Sequence, residues 1–179
     1  QSTALIPEAV NAAQESDVVV ACVGDLAGLF QSGTVGEGSD TDSLNLPGVQ
    51  QQLLEALVAT GKPVIVVMTG GRPYTLQGLE DKVAALIVAW APGQEGGRAI
   101  ADVLTGRAEP QGRLVVSVPK SAGAMPYYYN HKLKSGGTPF AFHFGSRYPF
   151  GFGLGWTTFR WNAARVAESS VPVDRKSTR

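Results

Sequence analysis

The 179-residue sequence balances 15 Lys plus Arg against 15 Asp plus Glu, so its formal charge is zero. With no basic stripe to release counterions, neither a nucleic acid nor a membrane surface is expected as a partner. The length suits one α/β domain with a fragment of another, no run is long enough to span a bilayer, and a single cysteine excludes an internal disulfide. That cysteine, Cys22, lies among valines and reads as a small core residue. The first residues (QSTALIPEAV) lack the charged-then-apolar pattern of a signal peptide. Localisation stays open, since secretion or export to the periplasm needs only a leader on a longer precursor.

Residues 6–15 (IPEAVNAAQE) have helical spacing, with Pro7 suited to a first turn. Residues 17–23 (DVVVACV) read as a buried strand. The connection at 24–47 (GDLAGLFQSGTVGEGSDTDSLNLP) is far longer than a strand-to-helix turn needs, which marks it as functional or disordered. Leu26, Leu29, Phe30 and Val35 within it favour order. Residues 47–60 place Val49, Leu53, Leu54, Leu57 and Val58 on one helical face, and Gly61 stops the helix. A second strand at 63–69 (PVIVVMT) leads through Gly70-Gly71-Arg72-Pro73 into a short helical segment near 76–81. A third strand at 83–90 (VAALIVAW), a helix to Leu104 and a fourth strand at 112–119 follow. The strands are continuous apolar runs, which predicts an α/β fold whose largely parallel sheet is buried between helices. Residues 120–155, rich in Gly, Pro and aromatics, read as an ordered wrap around that domain. At 156–166 (WTTFRWNAARV) the pattern turns to alternation, as in the first strand of a β domain. We therefore divide the chain into 1–155, an α/β domain, and 156–179, a linker and truncated strand. A lone strand is not independently stable, so the chain is expected to be a piece of a longer protein.

Glu37 stands out. It lies between Gly36 and Gly38, beyond the carboxyl end of a strand, where open α/β sheets bind ligands. The plain alternative is a solvated loop carboxylate. Asp40 and Asp42 suit backbone capping near a helix start, and Asp25 suits a hydrogen-bonded tether for the loop. Glu95 either lines the cleft or, the preferred reading, braces a glycine turn. Arg72 is expected in a structural ion pair. His131 reads as a structural hydrogen-bonding residue, and neither it nor His143 has ligands at zinc spacing. The Tyr127–Tyr129 run reads as packing. Residues 93–98 (GQEGGR) lack the glycine spacing of a dinucleotide fingerprint.

Five segments stand together in one order: GEGSDTDSLNLP (36–47), TGKPVIVVMTGGRP (60–73), AWAPGQEGGRAIADVLTG (89–106), PQGRLVVSVPKSAGAMPYYYNHK (110–132) and RYPFGFGLGWTTF (147–159). Over nearly the whole chain they resemble the second domain of glycoside hydrolase family three, the retaining β-glucosidases and β-xylosidases. The resemblance implies a six-stranded α/β sandwich. It implies an active site shared with a preceding (β/α)8 barrel that supplies the nucleophilic Asp, and a following fibronectin-III-like domain. Glu37 matches the family's general acid/base, and Asp40 would contact substrate; Phe30 and Leu29, by their own apolar chemistry, either wall the outer sugar subsite or fold onto their own domain. The substrate would be a β-linked oligosaccharide or aryl glycoside, with no metal or organic cofactor. This chain alone would be inactive. Many relatives carry Asn at the position of Gly70 and many carry Arg at that of Thr41, so a substrate contact made by that Arg does not carry over. The competing readings are a β-xylosidase, or a non-catalytic α/β domain that binds a ligand or partner at the same edge; a nucleotide-binding domain is weaker.

Overall fold

The computed structural model describes residues 2–30, 32–131, 145–166 and 170. Pro7 lies in the first turn of helix α1 (Ile6–Gln14), where no intrahelical bond needs its missing N–H. Strand β1 (Val19–Gly24) and helix α2 (Gln50–Ala59) flank the long connection. Strand β2 (Val64–Thr69), a 3₁₀ turn at Leu79–Asp81, strand β3 (Ala85–Trp90) and helix α3 (Gly96–Leu104) continue the alternation. The predicted helices and first three strands are all present, with ends displaced by a few residues.

β2 is the central strand, parallel to β1 from Val19↔Val64 to Gly24↔Thr69 and to β3 from Ile65↔Ala85 to Thr69↔Trp90. On one face Ala21, Val23, Val64, Val66 and Met68 pack against Leu54 and Leu57 of α2, together with Leu46, Tyr74 and Leu76. The i, i+3 spacing of Leu54 and Leu57 puts both on the buried stripe of α2.

Three expectations are corrected. Burial on both faces holds for β2, whose Val66 and Val67 are 0% and 1% exposed, but not for β1. Val20 is 47% exposed and Cys22 is exposed, so Cys22 is not a core residue. Among the described residues β1 pairs on one side only and its Val20 and Cys22 face stays partly open; an apolar run does not reveal whether both faces of a strand are covered. Second, 112–119 is not a fourth parallel strand. Leu114 donates to the Phe152 carbonyl and accepts from Gly151 N–H, both at 2.8 Å. Only β4 (Val118–Pro119) pairs, antiparallel to β5 (Ser146–Tyr148). Pro119, with no N–H, cannot continue a central ladder. The described residues thus give a three-stranded parallel sheet and a separate two-stranded one, not six strands in one sheet. Third, 156–166 forms no strand; Phe159 and Trp161 are 82% and 94% exposed.

In the expected wrap, Tyr129 stacks on Phe150 at 4.6 Å and Tyr148 on Phe152 at 5.1 Å. Tyr127 bonds His131 Nε2 at 3.2 Å and accepts from Ser146 N–H. Phe140, Phe142, His143 and Phe144 lie outside the described residues. No described helix is long and apolar enough to cross a membrane.

Candidate functional site

Because the strands are parallel, their carboxyl ends share one edge, and the chain leaves each for a connection. Asp25 follows β1, Gly70 to Arg72 follow β2, and Trp90 ends β3. Asp25 N–H donates to the Thr69 carbonyl and Gly70 N–H to the Trp90 carbonyl, both at 2.9 Å. Gln50, at the start of α2, holds the end of β1 with both groups of its amide. Its Oε1 accepts from Gly24 N–H at 2.6 Å and its Nε2 donates to the Gly24 carbonyl at 2.8 Å.

The long connection is ordered by its own backbone. Gly28 N–H donates to the Val35 carbonyl at 2.9 Å, Thr34 N–H to that of Leu26 at 2.7 Å, and Phe30 N–H to that of Glu37 at 2.8 Å. Ser39 N–H closes a turn on the Gly36 carbonyl at 3.1 Å. Gly36 has φ +127, and a Cβ there would stand 1.9 Å from the Gly28 carbonyl oxygen. Only glycine lets the two arms approach this closely, and the turn that follows presents Glu37.

Behind that turn lies a charged knot. The Asp25 side chain is 2% exposed. Its Oδ1 accepts from Thr34 Oγ1 at 2.7 Å and from the Tyr74 hydroxyl, its Oδ2 accepts from Gly71 N–H at 3.0 Å, and Arg72 Nη1 stands 3.7 Å away. Arg72 donates from Nη1 to the Thr34 carbonyl and from Nη2 to the Ser39 carbonyl. Burial, then the hydrogen bond to Asp25, raise the Tyr74 phenol above 10.0, so it remains a neutral donor. The knot bears out the tether reading of Asp25 and the ion-pair reading of Arg72.

Glu37 is exposed, and among the described residues its carboxylate takes no hydrogen bond or ion pair. A cleft of about 450 Å³ opens beside it, lined by Gly38, Ser39, Asp40, Thr41, Arg72 and Tyr74 among others. Asp40 therefore faces the cleft, while Glu37 belongs to the turn at its rim. The Ser39 hydroxyl, buried in that wall, has no hydrogen-bond partner among the described residues. Phe30 lies beside Glu37 through its backbone and against Gly38. Phe30 is 74% exposed and Leu29 59%, so the two present apolar surface on the loop that carries Glu37.

Neither Asp40 nor Asp42 caps α2, whose cap position is Val49 with no side-chain bond. The local turn bonds come instead from Ser43 N–H, which donates to Thr41 Oγ1, and Asn45 N–H, which donates to Ser43 Oγ. The Glu95 side chain makes no capping bond at α3, so it does not brace that turn. Sequence reasoning missed Thr34, Gln50 and Tyr74. A threonine in a loop, a glutamine in a helix and a tyrosine after a proline carry no local signal; only the fold brings them together.

A model of the family described as glycosyl hydrolase family 3 C-terminal domain matches residues 2–156. The chain is 38% identical to a periplasmic β-glucosidase of Salmonella typhimurium, over 98% of this chain and 24% of that protein. It is 36% identical to a β-xylosidase of Formosa agariphila, over 96% and 24%. Among solved structures, a Listeria innocua β-glucosidase in complex with glucose superposes with TM-score 0.76 at 30% identity, covering 89% of this chain and 23% of that one. A β-glucosidase from Erythrobacter marinus gives 0.75 at 37% identity, covering 89% and 22%. This chain spans about a quarter of such relatives, so in them the matching domain is part of a larger glycoside hydrolase. On the family match and on identities above 30% across nearly its whole length, the chain belongs to the glycosyl hydrolase family 3 C-terminal domain family.

Proposed function

We propose that the whole protein is a retaining exo-β-glycosidase releasing terminal non-reducing β-D-glucosyl residues, and that Glu37 is its general acid/base. The observation that carries the reading is a carboxylate that takes no hydrogen bond or ion pair among the described residues, held on an ordered glycine-flanked turn at the carboxyl edge of a parallel sheet, beside a cleft. Retaining hydrolysis needs one carboxyl group to protonate the leaving oxygen and a second, about 5–5.5 Å away, to attack the anomeric carbon. In this reading a (β/α)8 barrel elsewhere in the polypeptide brings the second carboxylate. Glu37 protonates the departing oxygen, then takes a proton from the water that cleaves the glycosyl-enzyme. Asp40 contacts the sugar from the cleft wall. Phe30 and Leu29 offer apolar surface to the ring beyond the scissile bond.

The three-stranded sheet would be completed to six strands in the whole protein. The single pairing of β1 among the described residues supports that completion, and the exposed Val20 and Cys22 support a further layer over that face. Residues 1–155 would form the sandwich and 156–179 the start of a fibronectin-III-like domain, whose strands would cover Phe159 and Trp161. A β-xylosidase is the second reading, favoured by the resemblance to the Formosa agariphila enzyme.

In the full-length protein, Glu37→Ala should lower turnover of unactivated disaccharides by about 10²–10⁴ and spare formation of the glycosyl-enzyme from dinitrophenyl glycosides. Equal losses on both substrates, or none, would contradict the assignment. Phe30→Ala should raise KM for disaccharides several-fold and leave hydrolysis of simple aryl glycosides unchanged. Comparing kcat/KM on aryl β-glucoside and aryl β-xyloside separates the two substrate readings.

A further inference from the structure

We propose that Arg72, locked in place by Asp25 and Thr34, is a positioning residue that sets where Glu37 stands; the proposal rests on the acid/base reading of Glu37. The two carbonyls that the Arg72 guanidinium takes, those of Thr34 and Ser39, bracket the turn that carries Glu37. One planar fork therefore ties both stems of that turn to the segment that follows β2. A lysine, with a single point-like ammonium, cannot span both carbonyls in this way.

The fork is itself fixed. Asp25 compensates its charge at 3.7 Å, and the same carboxylate reaches the loop through Thr34 Oγ1. Thr34 Oγ1 also accepts from Leu26 N–H at 2.9 Å, so one hydroxyl joins the first arm of the loop to the knot. The approach is too close for side chains on the β2 side. A Cβ at Gly70 would stand 2.6 Å from Asp25 Oδ2, and one at Gly71 2.7 Å from Val35 Cγ2. Two charges, two hydroxyls and two glycines are thus spent on holding a turn whose own carboxylate takes no hydrogen bond or ion pair among the described residues. Such an arrangement matters where a proton donor must meet one oxygen; displacement by about 1 Å can lower a rate 10²-fold.

The test uses the full-length enzyme with Arg72→Lys, which keeps a cation beside Asp25, and with Thr34→Val and Thr34→Ser. The expected result is that Arg72→Lys and Thr34→Val lose about 10- to 100-fold in kcat on disaccharides and on aryl glycosides with poor leaving groups. Dinitrophenyl glycosides, which leave without a proton, should lose less than about threefold in glycosyl-enzyme formation, with KM little changed. Thr34→Ser should recover most of the loss. Equal losses on both substrate classes, or no loss on either, would overturn the proposal and leave Arg72 a purely structural residue. Glu37→Ala assayed alongside separates the two claims. If Glu37→Ala is leaving-group selective and the Arg72 and Thr34 variants are not, positioning alone fails. If Glu37→Ala is not selective, the acid/base reading fails and the positioning role falls with it.

Discussion

A carboxylate as buried as that of Asp25 must have its lone pairs and charge met from within the protein, because the water it leaves behind is not replaced for free. Thr34, Gly71, Tyr74 and Arg72 meet them from two connections far apart in sequence. Tyr74→Phe removes one donor and keeps the packed ring, which is 3% exposed. The expected cost is about 1–2 kcal/mol, read as a lower urea midpoint at unchanged m; an unchanged midpoint would show that the hydroxyl contributes nothing. The sign with pH follows from the raised phenol. Its contribution is complete below pH 10.0 and is lost only as pH rises through the higher folded value, so ordinary assay conditions leave the knot intact. At this scale the sequence was legible wherever chemistry was local. Glu37 between two glycines and Asp25 at a strand end announce themselves. Tyr74 and Thr34 do not, because their partners arrive through tertiary structure.

Elements follow the same division. α1, α2 and β1 to β3 were readable because each repeats its own period over enough residues to fix one buried face. The segment 112–119 was misread because its apolar content matches a core strand, while its pairing is set by the chain returning at 145–152. Residues 156–157 are likewise held by one distant side chain. Glu109 accepts from the N–H groups of Trp156 and Thr157 and from the Thr157 hydroxyl, each at 2.6 Å. The Thr157 hydroxyl and N–H lower the Glu109 carboxyl below 4.5. A depressed folded value means that the anchor is complete above pH 4.5 and lets go only as pH falls through the lower one. Hydrogen exchange, corrected for intrinsic rates, should show Trp156 and Thr157 amides protected at pH 5 and released in Glu109→Gln. Equal protection in the variant, or release of the wild type already at pH 5, would refute the anchor.

At the scale of the whole molecule, the described residues leave a sheet face open, aromatics at 156–161 exposed and a carboxylate without a partner among them at a cleft rim, which a larger protein would put to use. The family was legible because five motifs stand in one order. The division of chemistry between domains was not, since a retaining glycosidase needs two carboxylates and the proposed partner lies outside these 179 residues. The central claim is that Glu37 gives and takes the proton. Its most direct test is product analysis of full-length Glu37→Ala acting on a dinitrophenyl β-glucoside in the presence of azide. Azide needs no general base to attack the trapped glycosyl-enzyme. Restored turnover with accumulation of β-glucosyl azide is the predicted result. Glucose alone at a rate indifferent to azide would place the acid/base elsewhere and leave this turn a wall of the site.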